Sequence, residues 1–222
     1  MLSKAKIREI RSLEFKKFRD ERGLFVAEGN KLVADMLPAF ACECIIAQAS
    51  WMATQGDLPA GELILAEKGD LRRVSFLKSP REDVMAVFRK PSCSLEDANP
   101  ESRLVLALDG IQDPGNLGTI IRIAGWFGIE HIVCSEDTAD IFSPKAVQAT
   151  MGALIHVKVH YTGLEEYIAR HSNSPVYGTF PDGKNIYTER LASHGIIVMG
   201  NEGSGIRQET VSLIKDRLSI PP

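Results

Sequence analysis

From residue 104 onward, short apolar runs alternate with helical patterns, and this alternation restricts the fold more than any other feature of the chain. Residues 104–108, 131–134, 155–159, 176–179 and 196–199 read as strands. Residues 116–127, 144–154, 164–170 and 209–217 carry the period expected of helices. Strand and helix in turn predict an α/β fold, a mainly parallel sheet with helices on both faces. Ligands of such sheets bind beyond the carboxyl ends of the strands. Two glycine-bearing segments fall at such ends: Asp109-Gly110-Ile111-Gln112-Asp113-Pro114-Gly115-Asn116-Leu117-Gly118-Thr119-Ile120-Ile121-Arg122, and Ile197-Val198-Met199-Gly200-Asn201-Glu202-Gly203-Ser204-Gly205-Ile206.

The first half reads as a smaller α/β unit. Ile7, Ile10, Leu13 and Phe18 mark a helix over 4–22, followed by a strand at 23–29 and a helix over 31–37 that Pro38 ends. Further strands are predicted at 44–47, 63–65 and 84–88. A polar stretch bracketed by Pro91 and Pro100 reads as the linker, giving domains over 1–95 and 103–222.

At 222 residues the chain is long enough for two such domains. No apolar run approaches the roughly 20 residues of a membrane span, and the charged start is not a signal peptide, so a cytoplasmic protein without membrane contact is expected. Four cysteines without Cys-x-x-Cys spacing and five histidines without His-Glu-x-x-His predict neither a disulfide framework nor a metal site. His156 and His160 fit one face of a strand, but with no third ligand in view structural histidines are the better reading. The net charge of −3 argues against a nonspecific nucleic-acid binder. Residues 1–31, however, hold nine Lys/Arg against five Asp/Glu, while residues 100–222 hold ten against fourteen. A basic arm on an acidic body fits local phosphate contact; it equally fits a solvated helix face.

Asp113 and Asn116 are both N-cap candidates, with Pro114 tolerated in a first turn. The stripe Leu117, Ile120, Ile121, Ala124 and Phe127 or Gly128 is expected to face the sheet, leaving Arg122 off it. Taken alone, Arg122 is a surface arginine paired with a carboxylate. Together with Asn116 and the distant glycine loop it reads as a fixed donor for an anionic or hydroxyl substrate. Gly200-Asn201-Glu202-Gly203 matches neither the Gly-x-Gly-x-x-Gly dinucleotide fingerprint nor a Walker loop, which disfavours a nucleotide-dependent oxidoreductase. A glycine loop of this kind lets a ligand approach bare backbone, or is simply a turn whose Glu202 or Ser204 caps the next helix.

These two segments resemble the first two signature motifs of the SpoU (TrmH-type) RNA ribose 2'-O-methyltransferases, of the SPOUT superfamily. Leu218-Ser219-Ile220-Pro221-Pro222 resembles the opening of the third motif. The resemblance implies a further glycine loop and a Ser-Leu-Asn helix start beyond Pro222, so the sequence is expected to be a portion truncated at its C-terminus. It also implies a trefoil-knotted methyltransferase domain that pairs as a homodimer. S-adenosylmethionine is the implied methyl donor, S-adenosylhomocysteine the product, and no metal takes part. Arg122 is the implied catalytic residue, with Asn116 supporting it. Thr179, Gly200, Asn201, Glu202, Gly203, Ile220 and Pro221 are the implied cofactor contacts.

Lys16 through Gly29 is similar to the L30e-like substrate-binding domain of many SpoU members, which makes Lys16, Lys17, Arg19, Arg22 and Lys31 candidate RNA contacts. Ser143 through Ala153 resembles a family segment and is read as mainly structural. The implied substrate is structured RNA, ribosomal RNA ahead of transfer RNA. The alternative is a non-catalytic RNA-binding or ribosome-associated protein on the same fold.

Overall fold

The structure, a computed structural model, describes residues 2–67, 69–80 and 83–221. The first part of the chain runs α1 (Lys4–Ser12), α2 (Lys16–Arg22), β1 (Leu24–Glu28), α3 (Asn30–Met36), β2 (Cys42–Ala47), α4 (Ala49–Met52), β3 (Ala60–Leu65), α5 (Asp70–Val74) and β4 (Val84–Arg89). The rest runs β5 (Leu104–Asp109), α6 (Pro114–Trp126), β6 (His131–Cys134), α7 (Pro144–Thr150), β7 (Lys158–Tyr161), α8 (Leu164–Arg170), β8 (Val176–Asn185), β9 (Gly195–Gly200), α9 (Gln208–Val211) and β10 (Asp216–Ser219). Two compact units result: residues 1–92 with 140–155, and residues 93–139 with 156–222. Residues 140–155, read from sequence as part of the second half, therefore pack with the first unit.

In the first unit a four-stranded sheet takes the order β1-β4-β2-β3, with β2 and β3 parallel and the other pairs antiparallel. Its core includes the Phe25 ring, whose centroid lies 5.4 Å from that of Phe40, 5.6 Å from Phe88 and 5.0 Å from Phe142. Phe142 precedes α7, which is one reason the 140–155 segment belongs here. The single helix expected over 4–22 is broken into α1 and α2. Arg19 is the cause: its Nη1 donates to the carbonyls of Leu13 and Glu14 at 2.7 Å each, turning the intervening backbone out of the helical ladder. Buried Leu13, 1 % exposed, anchors the break in the core.

The second unit is built on a six-stranded sheet of order β10-β8-β9-β5-β6-β7, parallel at every pairing. From β5 the chain builds outward through β6 and β7, then returns to lay β8 and β9 on the other side. The β5/β9 boundary is thus the switch point at which parallel sheets open a ligand crevice. The helix expected over 209–217 is a correction: only α9 is helical, and residues 216–219 form β10. Leu218, 2 % exposed, gains burial there and its backbone gains a parallel partner in β8, which outweighs weak local helix preference. Likewise α7 stops at Thr150 because Met151 and Gly152 take φ of 50° and 93°, and β7 begins at Lys158.

His160 pairs across the sheet with His131 and not with His156: His131 Nδ1 and His160 Nε2 are 3.2 Å apart in stacked, buried rings. Burial pushes His160 down to about 4, helped by its neighbour His131 and by Lys158 and opposed by Asp97. Burial also lowers His131, with Arg103 and Lys158 adding to it and Glu130 and Asp97 opposing. The folded state thus holds the pair neutral, whereas an unfolded histidine binds its proton near pH 6.5. Stability present above about pH 6.5 should fall as the pH drops toward about 4, by up to ~3 kcal/mol. Urea midpoints at pH 7 and pH 4.5 measure this loss, and an equal loss in His160→Gln would remove the pair as its source.

Candidate functional site at the switch point of the parallel sheet

Both glycine-bearing segments leave the carboxyl edge of the sheet side by side, because β5 and β9 pair in a register that sets Asp109 opposite Gly200. α6 opens with Asp113, whose side chain accepts from Asn116 N at 2.9 Å, and Pro114 occupies its first turn. Leu117, Gly118, Ile121 and Ala124 bury its inner face. Asn116 and Arg122 lie on the exposed side. Phe127, expected on the inner stripe, is 74 % exposed, since the helix ends at Trp126 and Phe127 is its C-cap.

The loop after β9 is closed by mutual backbone bonds between Asn201 and Gly205, 3.0 Å each way. Asn201 Oδ1 accepts from the amides of Gly203 (2.8 Å) and Ser204 (3.0 Å), while its Nδ2 donates to the Gly110 carbonyl at 2.8 Å. Asn116 Nδ2 donates to Glu202 Oε1 at 2.8 Å and holds that carboxyl below its usual range. Two side-chain bonds therefore tie the second glycine segment to the first. Gly200 permits this closure: a Cβ there would lie 2.2 Å from the Gly205 carbonyl carbon and the Ile206 nitrogen.

A third tie is one that sequence reading missed. Asp109, fully buried, accepts from Arg207 N at 3.0 Å and Arg207 Nε at 2.6 Å. Arg207 Nη2 reaches Asp109 at 2.5 Å and Asp137 at 3.5 Å. The bond to Asp109 raises the guanidinium above its usual range. The available signal in the sequence was an aspartate closing the apolar run 104–108.

Next to these loops in the sheet order, β8 runs longer than the expected 176–179 and slips register against β10. Arg217 pairs with Gly178, but Leu218 pairs with Lys184, so residues 179–183 bow out of the ladder. The bow and the end of β10 enclose a groove of about 250 Å³ lined by Thr179, Phe180, Pro181, Ile186, Leu218 and Ile220. It brings together Thr179 and Ile220 of the expected cofactor contacts, with Pro221 following directly. Asn201 and Glu202 have their side chains engaged in loop closure instead. The groove's largely apolar walls fit a planar heterocycle or an aliphatic chain, with the Thr179 and Ser219 hydroxyls at its lining, so the residues present suit an adenosyl ligand.

The candidate RNA contacts lie in the first unit. Lys16 is exposed and bonds Asp20 at 2.6 Å, Arg22 sits 3.7 Å from Glu9, and Lys17 and Lys31 are exposed. Arg19 is a correction: it is 3 % exposed, and its guanidinium grips Asp140 Oδ2 at 2.6 and 2.9 Å besides the two carbonyls, so it is a structural residue withdrawn from solvent. Among the described residues, no group of three His, Cys, Asp or Glu side chains is placed to hold a metal ion, and no helix is long and apolar enough to cross a membrane.

The chain is similar to known proteins along nearly its whole length. Residues 103–222 match the SpoU rRNA methylase family, and residues 4–86 match the MRM3-like substrate binding domain. The chain is 30 % identical to the 23S rRNA (guanosine(2553)-2'-O)-methyltransferase RlmP of Bacillus subtilis, over 97 % of this chain and 87 % of that protein. It is 32 % identical to the mouse mitochondrial rRNA methyltransferase 3, over 86 % of this chain but only 46 % of the mouse protein. Among solved structures, a TrmH-family protein from Porphyromonas gingivalis superposes with a TM-score of 0.91 at 40 % identity, covering 100 % of this chain and 90 % of that one. An AdoMet-bound rRNA methyltransferase from Sinorhizobium meliloti gives 0.83 at 30 % identity, covering 100 % and 88 %.

Proposed function

The chain belongs to the SpoU rRNA methylase family, and on that premise we propose that it methylates a ribose 2'-hydroxyl in structured ribosomal RNA. The observation that carries this reading is the lashing of the two glycine segments across the β5/β9 switch point, through Asn116–Glu202 and Asn201–Gly110. S-adenosylmethionine, when bound, supplies an electrophilic methyl group. Thr179, Ile220 and Pro221, with the backbone of Gly200 and Gly203, would hold it. That methyl group would pass to the ribose 2'-oxygen, whose hydroxyl proton would go to solvent.

A ribose hydroxyl is a weak nucleophile, so its placement governs the rate. Arg122, on the exposed side of α6 six residues beyond Asn116, serves as a cationic clamp on the phosphate beside the target ribose. A guanidinium offers N–H donors and no acceptor, so Arg122 orients the nucleotide and does not act as the base. Asn116 fixes Glu202 and the loop edge against which the ribose lies. Lys16, Lys17, Arg22 and Lys31 supply further phosphate contacts.

The homodimer and the trefoil knot belong to the same reading, as does a cytoplasmic location. Ile123, Trp126 and Phe127 are 52 %, 86 % and 74 % exposed at the end of α6, an apolar patch that a second copy would cover. Sedimentation should find a dimer that Trp126→Asp converts to monomer.

Radiolabelled S-adenosylmethionine with unmodified ribosomal and transfer RNA tests the activity. Label should enter ribosomal RNA at a ribose, and Arg122→Ala should lose roughly 100-fold in turnover while keeping cofactor affinity. Cofactor binding without label in either RNA would defeat the substrate assignment, and absence of both would favour a non-catalytic RNA-binding protein.

A further inference from the structure

The middle of the bow in β8 is held by a residue that belongs neither to the glycine segments nor to the expected cofactor contacts. Residues 179–183 have no register partner in β9, whose pairing with β8 stops at Gly178, nor in β10, whose pairing jumps from Gly178 to Lys184. Side chains pin the segment instead. At its start Thr179 Oγ1 donates to the Val198 carbonyl at 3.3 Å, and at its end Ser219 Oγ donates to the Gly183 carbonyl at 2.8 Å. Between those points Arg217 lies across it. Its guanidinium carbon is 3.6 Å from the centroid of the Phe180 ring, and its Nη2 donates to Asp182 Oδ1 at 2.7 Å. Gly178 makes room for the ring: a Cβ there would lie 2.7 Å from Phe180 Cε2 and 2.5 Å from Ile214 Cδ1. Leu218 turns inward, so Arg217 and Ser219 reach the bow from either side of a buried residue.

We propose that Arg217 is a positioning residue for the methyl donor: stacked on Phe180 and bonded to Asp182, it keeps the bow standing as one wall of the groove that takes the adenosyl ligand. The inference rests on the reading of the chain as an S-adenosylmethionine-dependent methyltransferase. Thr179, Phe180 and Pro181 line that groove, so the segment without ladder partners is the segment a ligand would meet. Backbone outside a ladder takes its order from side-chain contacts, and a protein whose binding-competent form is only partly populated loses apparent affinity by that fraction. The stack is the stronger half of the hold. The side chains of Arg217 and Asp182 are 45 % and 75 % exposed, and an ion pair at that exposure contributes little. A planar guanidinium on an aromatic face is a contact that lysine reproduces poorly. The glycine loops that set the reacting geometry are anchored elsewhere, through Asn116, Asn201 and Asp109, so loss of Arg217 falls on cofactor affinity and not on the transfer step.

Calorimetric titration of S-adenosylhomocysteine into the full chain tests this. Arg217→Ala should weaken binding about tenfold, and Arg217→Lys should recover only part of the loss. Asp182→Asn should stay within about threefold of wild type. The ligand-free melting temperature of Arg217→Ala should stay within about 2 °C of wild type, because the side chain is exposed. In the labelling assay the same variant should raise KM for S-adenosylmethionine and leave kcat at saturation in place, the signature of lost binding alone. Arg217→Ala and Phe180→Leu should be non-additive in affinity, since each removes the same stack. Unchanged affinity in Arg217→Ala, strict additivity with Phe180→Leu, or a fall in melting temperature that accounts for the weaker binding overturns the proposal. Wild-type protein that binds no S-adenosylhomocysteine would overturn the methyltransferase reading with it, whereas wild-type binding that is indifferent to Arg217 leaves that reading standing and ends this one.

Discussion

Gly200→Ala should abolish binding of S-adenosylhomocysteine and lower methyl transfer by at least ~1,000-fold. The single methyl group would sit 2.2 Å from backbone atoms of both Gly205 and Ile206, well inside contact distance, and backbone cannot swing aside as a side chain can. The loop would have to open, breaking the two Asn201–Gly205 backbone bonds and displacing Asn201 from Gly110. Since catalysis by positioning loses about 100-fold for an ångström of misplacement, a displaced loop loses more. Titration calorimetry with S-adenosylhomocysteine reads the binding directly. Wild-type affinity in Gly200→Ala would mean that the closed loop is not the cofactor-binding form. The sheet itself should survive, because Gly200 is the final residue of β9 and the atoms it would meet belong to the loop beyond, so circular dichroism should change little.

Arg207→Ala should destabilise the second unit by about 3 kcal/mol, a fall of roughly 10 °C in melting temperature. Asp109 is fully buried, and the substitution removes both guanidinium contacts while leaving only the Arg207 amide to serve its carboxylate. Breaking a buried pair from the cationic side leaves an uncompensated charge, which is why the cost exceeds that of an exposed bridge. Partial exposure of Arg207 keeps the figure from being larger. Adding Asp109→Asn to Arg207→Ala should recover a good part of the loss, since the neutral amide carries a smaller burial penalty. Thermal melts of the two single variants and the double variant measure the coupling; strict additivity would show that the pair does not act as a unit.

Several features were legible because they are local. The βα alternation announces a parallel sheet through periodicity, and α8 at Leu164–Arg170 falls where its pattern places it. Asp113-Pro114 marks the start of α6 because capping chemistry acts within one turn. The glycine segments stand out since Gly200 answers to a close approach that no other residue tolerates.

What failed was decided at a distance. The break after α1 depends on Arg19 reaching back to Leu13 and Glu14, and the burial of Arg19 depends on Asp140, 121 residues away. No window along the sequence separates such an arginine from one that meets RNA. Residues 209–217 read as helix from local preferences that are weak, and the stretch from 216 became β10 because β8 offered backbone partners and a buried place for Leu218. The clamp between Asp109 and Arg207 spans 98 residues and exists because β5 and β9 are neighbours. The sequence by itself determined the alternation of elements, their caps and the positions where only glycine fits, since each arises from forces acting within a few residues. Tertiary structure alone decided which charges are buried, which loops are lashed together and where the groove opens, since burial and pairing exist only once distant segments have met.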